Sequence, residues 1–306
     1  MHRYFFLIIY ISILIFGFSC NLYHKINKQY TDVDFSVKND LLNEGNKNNQ
    51  ILYVAIGSII SPGETMKFYK ELINYISGKI NIPIELKQRK TYEEVNLMLE
   101  TGQVDFAFIC SGAYAKESEN SLVDILVVPV SNGKTLYQAY IIANKNSDIN
   151  KFEDLKGKSF AFTDPISNTG RFYVMKRLAN LGSDMNIFFR KWIFTYAHDY
   201  SLQLVNKNTI DGASVNSLVF DYLVKTEPEK VENIKIIEKS EFYGIPPVVV
   251  PRTLNTEMKN KLKNIFLNIA NDEEGKKILE KLFIEKYVEG KDSDYNSVRD
   301  LQKFAK

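Results

Sequence analysis

Ser167, Asn168, Thr169 and Gly170 stand in a row between an apolar run, residues 160–163, and a stretch of helical character. Asp164-Pro165 turns the chain between the two. A strand that turns into a helix leaves free backbone N–H groups at the turn, and the positive end of the helix dipole adds to them, so the place suits an anion. Ser167, Asn168 and Thr169 would add side-chain donors, and Gly170 would let a ligand approach the backbone closely. No lysine is needed, which suits a reversible binder that holds its ligand by hydrogen bonds. The bland alternative is that Ser167 or Asn168 only caps the helix.

Other residues capable of chemistry are few. His2, His24 and His198 are too scattered for a metal cluster, and no metal or cofactor is expected. His198-Asp199 could in principle serve a hydrolase. A nucleophile or metal would have to stand beside them, and the chain carries no H-E-x-x-H and no G-x-S-x-G. The sequence is therefore read as a non-enzyme. A formal charge of +2 over 306 residues gives no global field for nucleic acid.

The elements around the anion segment alternate. Residues 51–56 form a short apolar run ending at Gly57, the pattern of a buried parallel strand. Pro62 opens a helix with Met66, Tyr69, Leu72, Ile73 and Ile76 on one face, and Gly78 closes it. Further strands are predicted at 82–86, 104–109, 159–163, 191–195 and 234–238. Helices are predicted from Tyr92 to Leu99, over 169–181, 200–206 and 257–270. Strand–helix alternation implies an α/β fold with mostly parallel sheets. An internal echo supports two similar lobes: residues 103–109 and 209–215 both run from a helix through a tight turn into an aliphatic-Asp-x-Ala strand, with Asp105 and Asp211 at matching places. Lobe 1 is assigned residues 50–140 and 246–306, and lobe 2 residues 141–245. Residues 137–143 and 247–250 would cross between them as hinges, leaving a ligand cleft.

The N-terminus points out of the cytoplasm. Arg3 precedes an apolar run, residues 4–18, which meets Ser19-Cys20. Residues 1–19 read as a lipoprotein signal peptide with Cys20 the acylated residue, the alternative being an uncleaved anchor. Residues 20–49, rich in Asn, Lys and Asp, read as a tether. Cys110 could pair only with Cys20, and if Cys20 is acylated it is a small packing residue.

Asp164-Pro165-Ile166-Ser167-Asn168-Thr169-Gly170 resembles the D-P-x-S-[TN]-[ST]-G segment of the phosphate/phosphite/phosphonate substrate-binding proteins of ABC transporters. Other landmarks occur in the same order: Gly57 with Ser61-Pro62, Tyr92, residues 102–108, Leu155-Lys156-Gly157-Lys158, Tyr196-Ala197-His198-Asp199, Ile210-Asp211-Gly212-Ala213 and residues 244–250. The likeness covers about residues 51–300. It implies a type II periplasmic-binding-protein fold, two α/β lobes joined by two crossover strands, closing on a small oxyanion. It also implies that Ser167, Asn168 and Thr169 hold the anion's oxygens, with Tyr92 and His198 as further donors. Tyr92 read alone fits a core aromatic as well, and His198 a helix cap. Where the family has a Gly-Pro turn, this chain has Cys110-Ser111-Gly112, which makes Ser111 a candidate extra donor. Leu218 and Pro246 stand where aminophosphonate binders place carboxylates, so phosphate, phosphite or a small alkylphosphonate is expected instead. The implied partners are a transporter permease and, through Cys20, a membrane. The chain is expected to be monomeric and extracytoplasmic; a module reporting ligand to a signalling partner is the second reading.

Overall fold

The computed structural model describes residues 50–305, within the compact unit Asn49–Lys306. Residues 1–49, read above as a signal peptide and a tether beginning at Cys20, lie outside the described residues.

In chain order the first elements are β1 Leu52–Ile56, α1 Pro62–Ile80, β2 Ile84–Gln88, α2 Tyr92–Glu100, β3 Phe106–Phe108, α3 Ser111–Glu119 and β4 Val123–Val130. Next come β5 Leu136–Tyr137, β6 Ala139–Asn144, β7 Ser159–Phe162, α4 Tyr173–Asn180, α5 Met185–Phe188, β8 Lys191–Phe194, α6 His198–Asn206, β9 Gly212–Asn216 and α7 Ser217–Thr226. The chain finishes with β10 Ile234–Lys239, β11 Tyr243–Gly244, β12 Val248–Pro251, α8 Thr256–Asn268, α9 Glu273–Lys281, β13 Lys286–Val288 and α10 Asn296–Gln302.

Two large sheets result, in the order β13-β4-β12-β3-β1-β2 and β10-β6-β9-β7-β8. β1 pairs parallel with β2 and β3, and β12 joins antiparallel to β3. The second sheet repeats this: β7 pairs parallel with β8 and β9, and β6 joins antiparallel to β9. The apolar runs seen in the sequence are buried because helices cover the sheets; Val54, Ala55, Ala161 and Phe162 are fully enclosed. The fold is that of a type II periplasmic binding protein, with two sheet-containing lobes.

The internal echo has a physical basis. Asp105 accepts the backbone N–H of Tyr53 at 2.7 Å, at the start of β1, and Asp211 accepts that of Ser159 at 2.7 Å, at the start of β7. Each carboxylate ties the turn before one strand to the parallel neighbour.

The connection between lobes differs from the sequence expectation. Residues 247–250 do not cross: Val248–Pro251 lies inside the first sheet, and Ala139–Asn144 inside the second. The crossing is the short ribbon of β5 and β11, in which Tyr243 pairs with Tyr137 and Gly244 with Leu136. Apolar character alone does not separate a central strand from a crossover. Nor does Gly78 end α1. The helix runs through it to Ile80 and stops at Asn81, which takes the left-handed conformation at φ 58°.

Removing the Asp105 carboxylate leaves the Tyr53 N–H unpaired beside a buried strand. Asp105→Ala is expected to destabilise the protein by about 1–3 kcal/mol, read as a lower urea midpoint at unchanged slope.

Candidate functional site

The anion segment begins with a wide turn. Residues Asn168–Phe172 form a π-helical turn in which Phe172 N–H reaches Ser167 O at 2.9 Å, and α4 continues from it. The sequence pattern predicts a plain helix from Thr169; the extra residue per turn leaves no mark on apolar spacing over so short a stretch. Ser167 caps the turn by accepting the Gly170 N–H at 3.0 Å. The backbone N–H groups of Asn168 and Thr169 donate to no protein oxygen or nitrogen among the described residues.

Gly170 has a different part from the one expected. A Cβ there would lie 2.5 Å from Thr163 Cβ and 2.9 Å from Ser167 Oγ. The glycine lets the turn pack on the end of β7, and the space is taken by protein rather than open to a ligand.

Opposite this turn stands the start of α3. Gly112 is so close that a Cβ on it would sit 2.2 Å from Ile166 O and 2.8 Å from Asn168 N. The N–H groups of Ser111 and Gly112 also donate to no protein oxygen or nitrogen among the described residues. Two helix starts, one from each lobe, therefore face each other.

The other helix starts at this interface are neutralised across the lobes. Asp164 of lobe 2 accepts the Tyr92 N–H at 3.0 Å, at the first residue of α2, and also the Ile166 N–H at 2.9 Å. Asp199, likewise of lobe 2, accepts the Ser61 N–H at 2.9 Å, just before α1. No carboxylate is hydrogen-bonded to the starts of α3 or of the π-turn among the described residues. That pair has donors and positive dipole ends but no resident anion.

Side chains gather at the same place. Tyr92 is held at the head of α2 by a capping box, in which Thr91 Oγ1 accepts Glu94 N–H and Glu94 accepts Thr91 N–H. Its ring is 1% exposed and its hydroxyl has no partner. Burial, with Cys110, Asp164 and Tyr137 close by, pushes its pKa well above the ordinary value, so it is a neutral donor. Thr169 Oγ1 and Asn168 Oδ1 are also buried without partners. Asn168 Nδ2 donates to the Tyr137 hydroxyl at 3.2 Å. Burial raises the pKa of Tyr137 too, with the Asn168 amide opposing that rise. Ser111 Oγ donates to Gly244 O at 2.6 Å, so its proton is already committed to the lobe connection.

The Cys110 thiol is buried and free. Burial raises its pKa, and the N–H groups of Asn168 and Gly112 and the Ser167 hydroxyl oppose that rise. These are donors of the two facing helix starts, so Cys110, buried in the hydrophobic core as a small packing residue, lies beside them.

His198 is the first residue of α6, not part of the loop before it. Its own N–H donates to Ile59 O across the lobes at 2.9 Å. Nδ1 accepts the Asn216 N–H at 3.1 Å and lies 3.0 Å from Thr163 Oγ1. A donor at Nδ1 requires that nitrogen to be unprotonated, which puts the neutral ring's proton on Nε2. Burial pushes the pKa down to about 3.

The places of Tyr137 and Asp164 beside the facing helix starts escape a sequence reading. Tyr137 reads as one more member of an apolar run. Asp164 reads as a local turn residue, because its bond to Tyr92 spans 72 positions.

Residues 54–295 match the family described as ABC transporter, phosphonate, periplasmic substrate-binding protein. The chain belongs to this family. It is similar to the phosphonates-binding periplasmic protein of Escherichia coli K12, with 30% identity over 160 residues, 50% of this chain and 46% of that protein. The match thus spans about half the length of that curated relative. In fold it is similar to a binding-protein component of an ABC phosphonate transporter from Pseudomonas aeruginosa (TM-score 0.79, 24% identity, 84% of this chain and 87% of that one). A second similar structure is a Prochlorococcus marinus protein in complex with methylphosphonate (TM-score 0.76, 17% identity, 84% and 98%).

Because His198 is held neutral in the fold but titrates near 6.5 when unfolded, the unfolded chain binds the extra proton between pH 6.5 and about 3. Its contribution to stability is therefore lost as pH falls through that window, by up to about 1.4 kcal/mol per pH unit. Asp164 and Asp199, with pKa values raised by burial, work in the opposite direction. His198→Gln should therefore flatten the fall of stability with acid relative to wild type, measured by urea unfolding from pH 7 to pH 4.

Proposed function

We propose that this protein is the extracytoplasmic binding component of an ABC importer and captures a small phosphorus oxyanion between its lobes. The observation that carries this reading is the facing pair of helix starts. N–H groups of Ser111, Gly112, Asn168 and Thr169 that donate to no protein oxygen or nitrogen, and the unpartnered hydroxyls of Tyr92 and Thr169, meet where no carboxylate is bonded among the described residues. An anion between them would pair these donors and offset two like dipole ends. Tyr92 contributes from lobe 1 and Thr169 from lobe 2, so the ligand would bridge the lobes, with the β5–β11 ribbon as the hinge. His198 would donate through Nε2.

The phosphorus class is supported by the family and by Asn168. Its Oδ1 is a buried acceptor without a donor. A monoprotonated phosphate or phosphonate carries a proton for it, and sulfate near neutral pH does not. An unfilled acceptor facing a bare anion would penalise sulfate. Cys20, if acylated, would anchor the protein to the membrane beside its permease, with the protein acting as a monomer.

The test is thermal unfolding with phosphate, phosphite, methylphosphonate and sulfate, followed by calorimetric titration. At 100 times Kd a ligand adds about 2.7 kcal/mol of stability. A phosphorus oxyanion is expected to raise the midpoint and sulfate to leave it unchanged. Thr169→Val and Tyr92→Phe should each weaken binding about tenfold or more, since a hydrogen bond to a charged group is worth about 1.5–3 kcal/mol. Equal binding of sulfate, or variants that bind as wild type does, would overturn the assignment.

A further inference from the structure

A cavity of about 170 Å³ lies between the lobes beside the anion cluster. It shares two walls with that cluster. Gly57 lines it, and a Cβ there would lie 3.5 Å from the Tyr92 ring; Asn216 lines it too, and its N–H is the one bonded to His198. The remaining walls are mostly apolar and come from both lobes, with Phe108, Pro246, Leu282 and Ile284 on one side and Leu218 and Val219 on the other. Such a space is larger than an anion of four or five heavy atoms needs. An apolar cavity of about 150 Å³ is enough to hold benzene.

Three charged residues line the cavity: Asp199, Glu64 and Lys230. Asp199 accepts the Ser61 N–H, and the Ser61 hydroxyl and the N–H groups at the head of its own helix also favour its charge. Glu64 lies 3.7 Å from Lys230 and 3.6 Å from Lys67, with its Oε2 buried and making no hydrogen bond among the described residues, and Lys230 is paired at 2.5 Å with Glu227. An ammonium group in this space would have to compete with Lys67 and Lys230 for Glu64, and elsewhere would meet mostly apolar walls, a costly burial for an unpaired charge.

We infer that the cavity is a subsite for an uncharged apolar substituent, so that the preferred ligands are phosphonates bearing an alkyl or aryl group of several carbons. This rests on the anion reading above, since it is the phosphorus end, held by Tyr92, Asn168 and Thr169, that would aim the substituent into the cavity. Leu218 and Pro246 set the specificity by offering hydrocarbon on opposite sides of the cleft.

The experiment is calorimetric titration of the protein with phosphite, methyl-, propyl-, butyl-, phenyl- and 2-aminoethylphosphonate, repeated on Leu218→Trp and checked for folding by circular dichroism. Affinity is expected to rise about fourfold for each methylene buried, with phenylphosphonate binding more tightly than methylphosphonate. Filling the cavity with Leu218→Trp should collapse the butyl-to-methyl affinity ratio toward one. Methylphosphonate or phosphite binding as tightly as the larger ligands would overturn the subsite while leaving the anion reading intact, as would 2-aminoethylphosphonate binding best. Failure of every phosphorus compound to bind would overturn both.

Discussion

Two helix starts that face each other across a lobe interface repel unless a negative group stands between them. In this protein three such encounters are built from the same parts, and their differences organise the site. Asp199 meets the chain entering α1, and Asp164 meets the start of α2, so those two contacts carry their own anion. The start of α3 meets the π-turn at 168–172 with no carboxylate bonded to either among the described residues. Under the proposed function, a lobe interface with a bonded carboxylate in two places and none in the third would make closure depend on an anionic ligand. At that point Tyr92, Thr169 and Asn168 each have an unpartnered buried polar atom.

The sheets hold those helix starts in register. The two are built on one pattern, and Asp105 and Asp211 do the same work in each, tying a parallel strand to the turn before its neighbour. The crossing is kept to the narrow β5–β11 ribbon, which places Tyr137 against the Asn168 amide and Gly244 against the Ser111 hydroxyl. The ribbon that joins the lobes thus touches the facing helix starts directly. Beside the facing helix starts the cavity walls turn mostly apolar, which in the proposed reading would separate what fixes a ligand from what selects among ligands.

Much of this is legible in the sequence, because strand runs, helix faces and the Asp164–Gly170 segment are local signals. The echo of residues 103–109 in 209–215 announces two similar lobes, and the structure gives it a hydrogen bond in each. What escapes is long-range or hidden by ambiguous character. Residues 247–250 are apolar enough for either a crossover or a central strand. Gly78 lies inside α1, since one glycine costs a long helix only about 1 kcal/mol. Gly170 serves packing on Thr163, a contact no spacing reveals. His198 as the head of α6, Cys110 among donors and Asp164 as the partner of Tyr92 all depend on how the lobes meet.

The most direct test of the central claim is a crystal structure of the protein with methylphosphonate. The account predicts the phosphorus group between the starts of α3 and the π-turn, its oxygens within hydrogen-bonding distance of the Tyr92 hydroxyl, Thr169 Oγ1 and the Asn168 or Thr169 N–H, and its methyl group toward Leu218. A ligand bound elsewhere in the cleft, with Tyr92 and Thr169 still unpartnered, would contradict it.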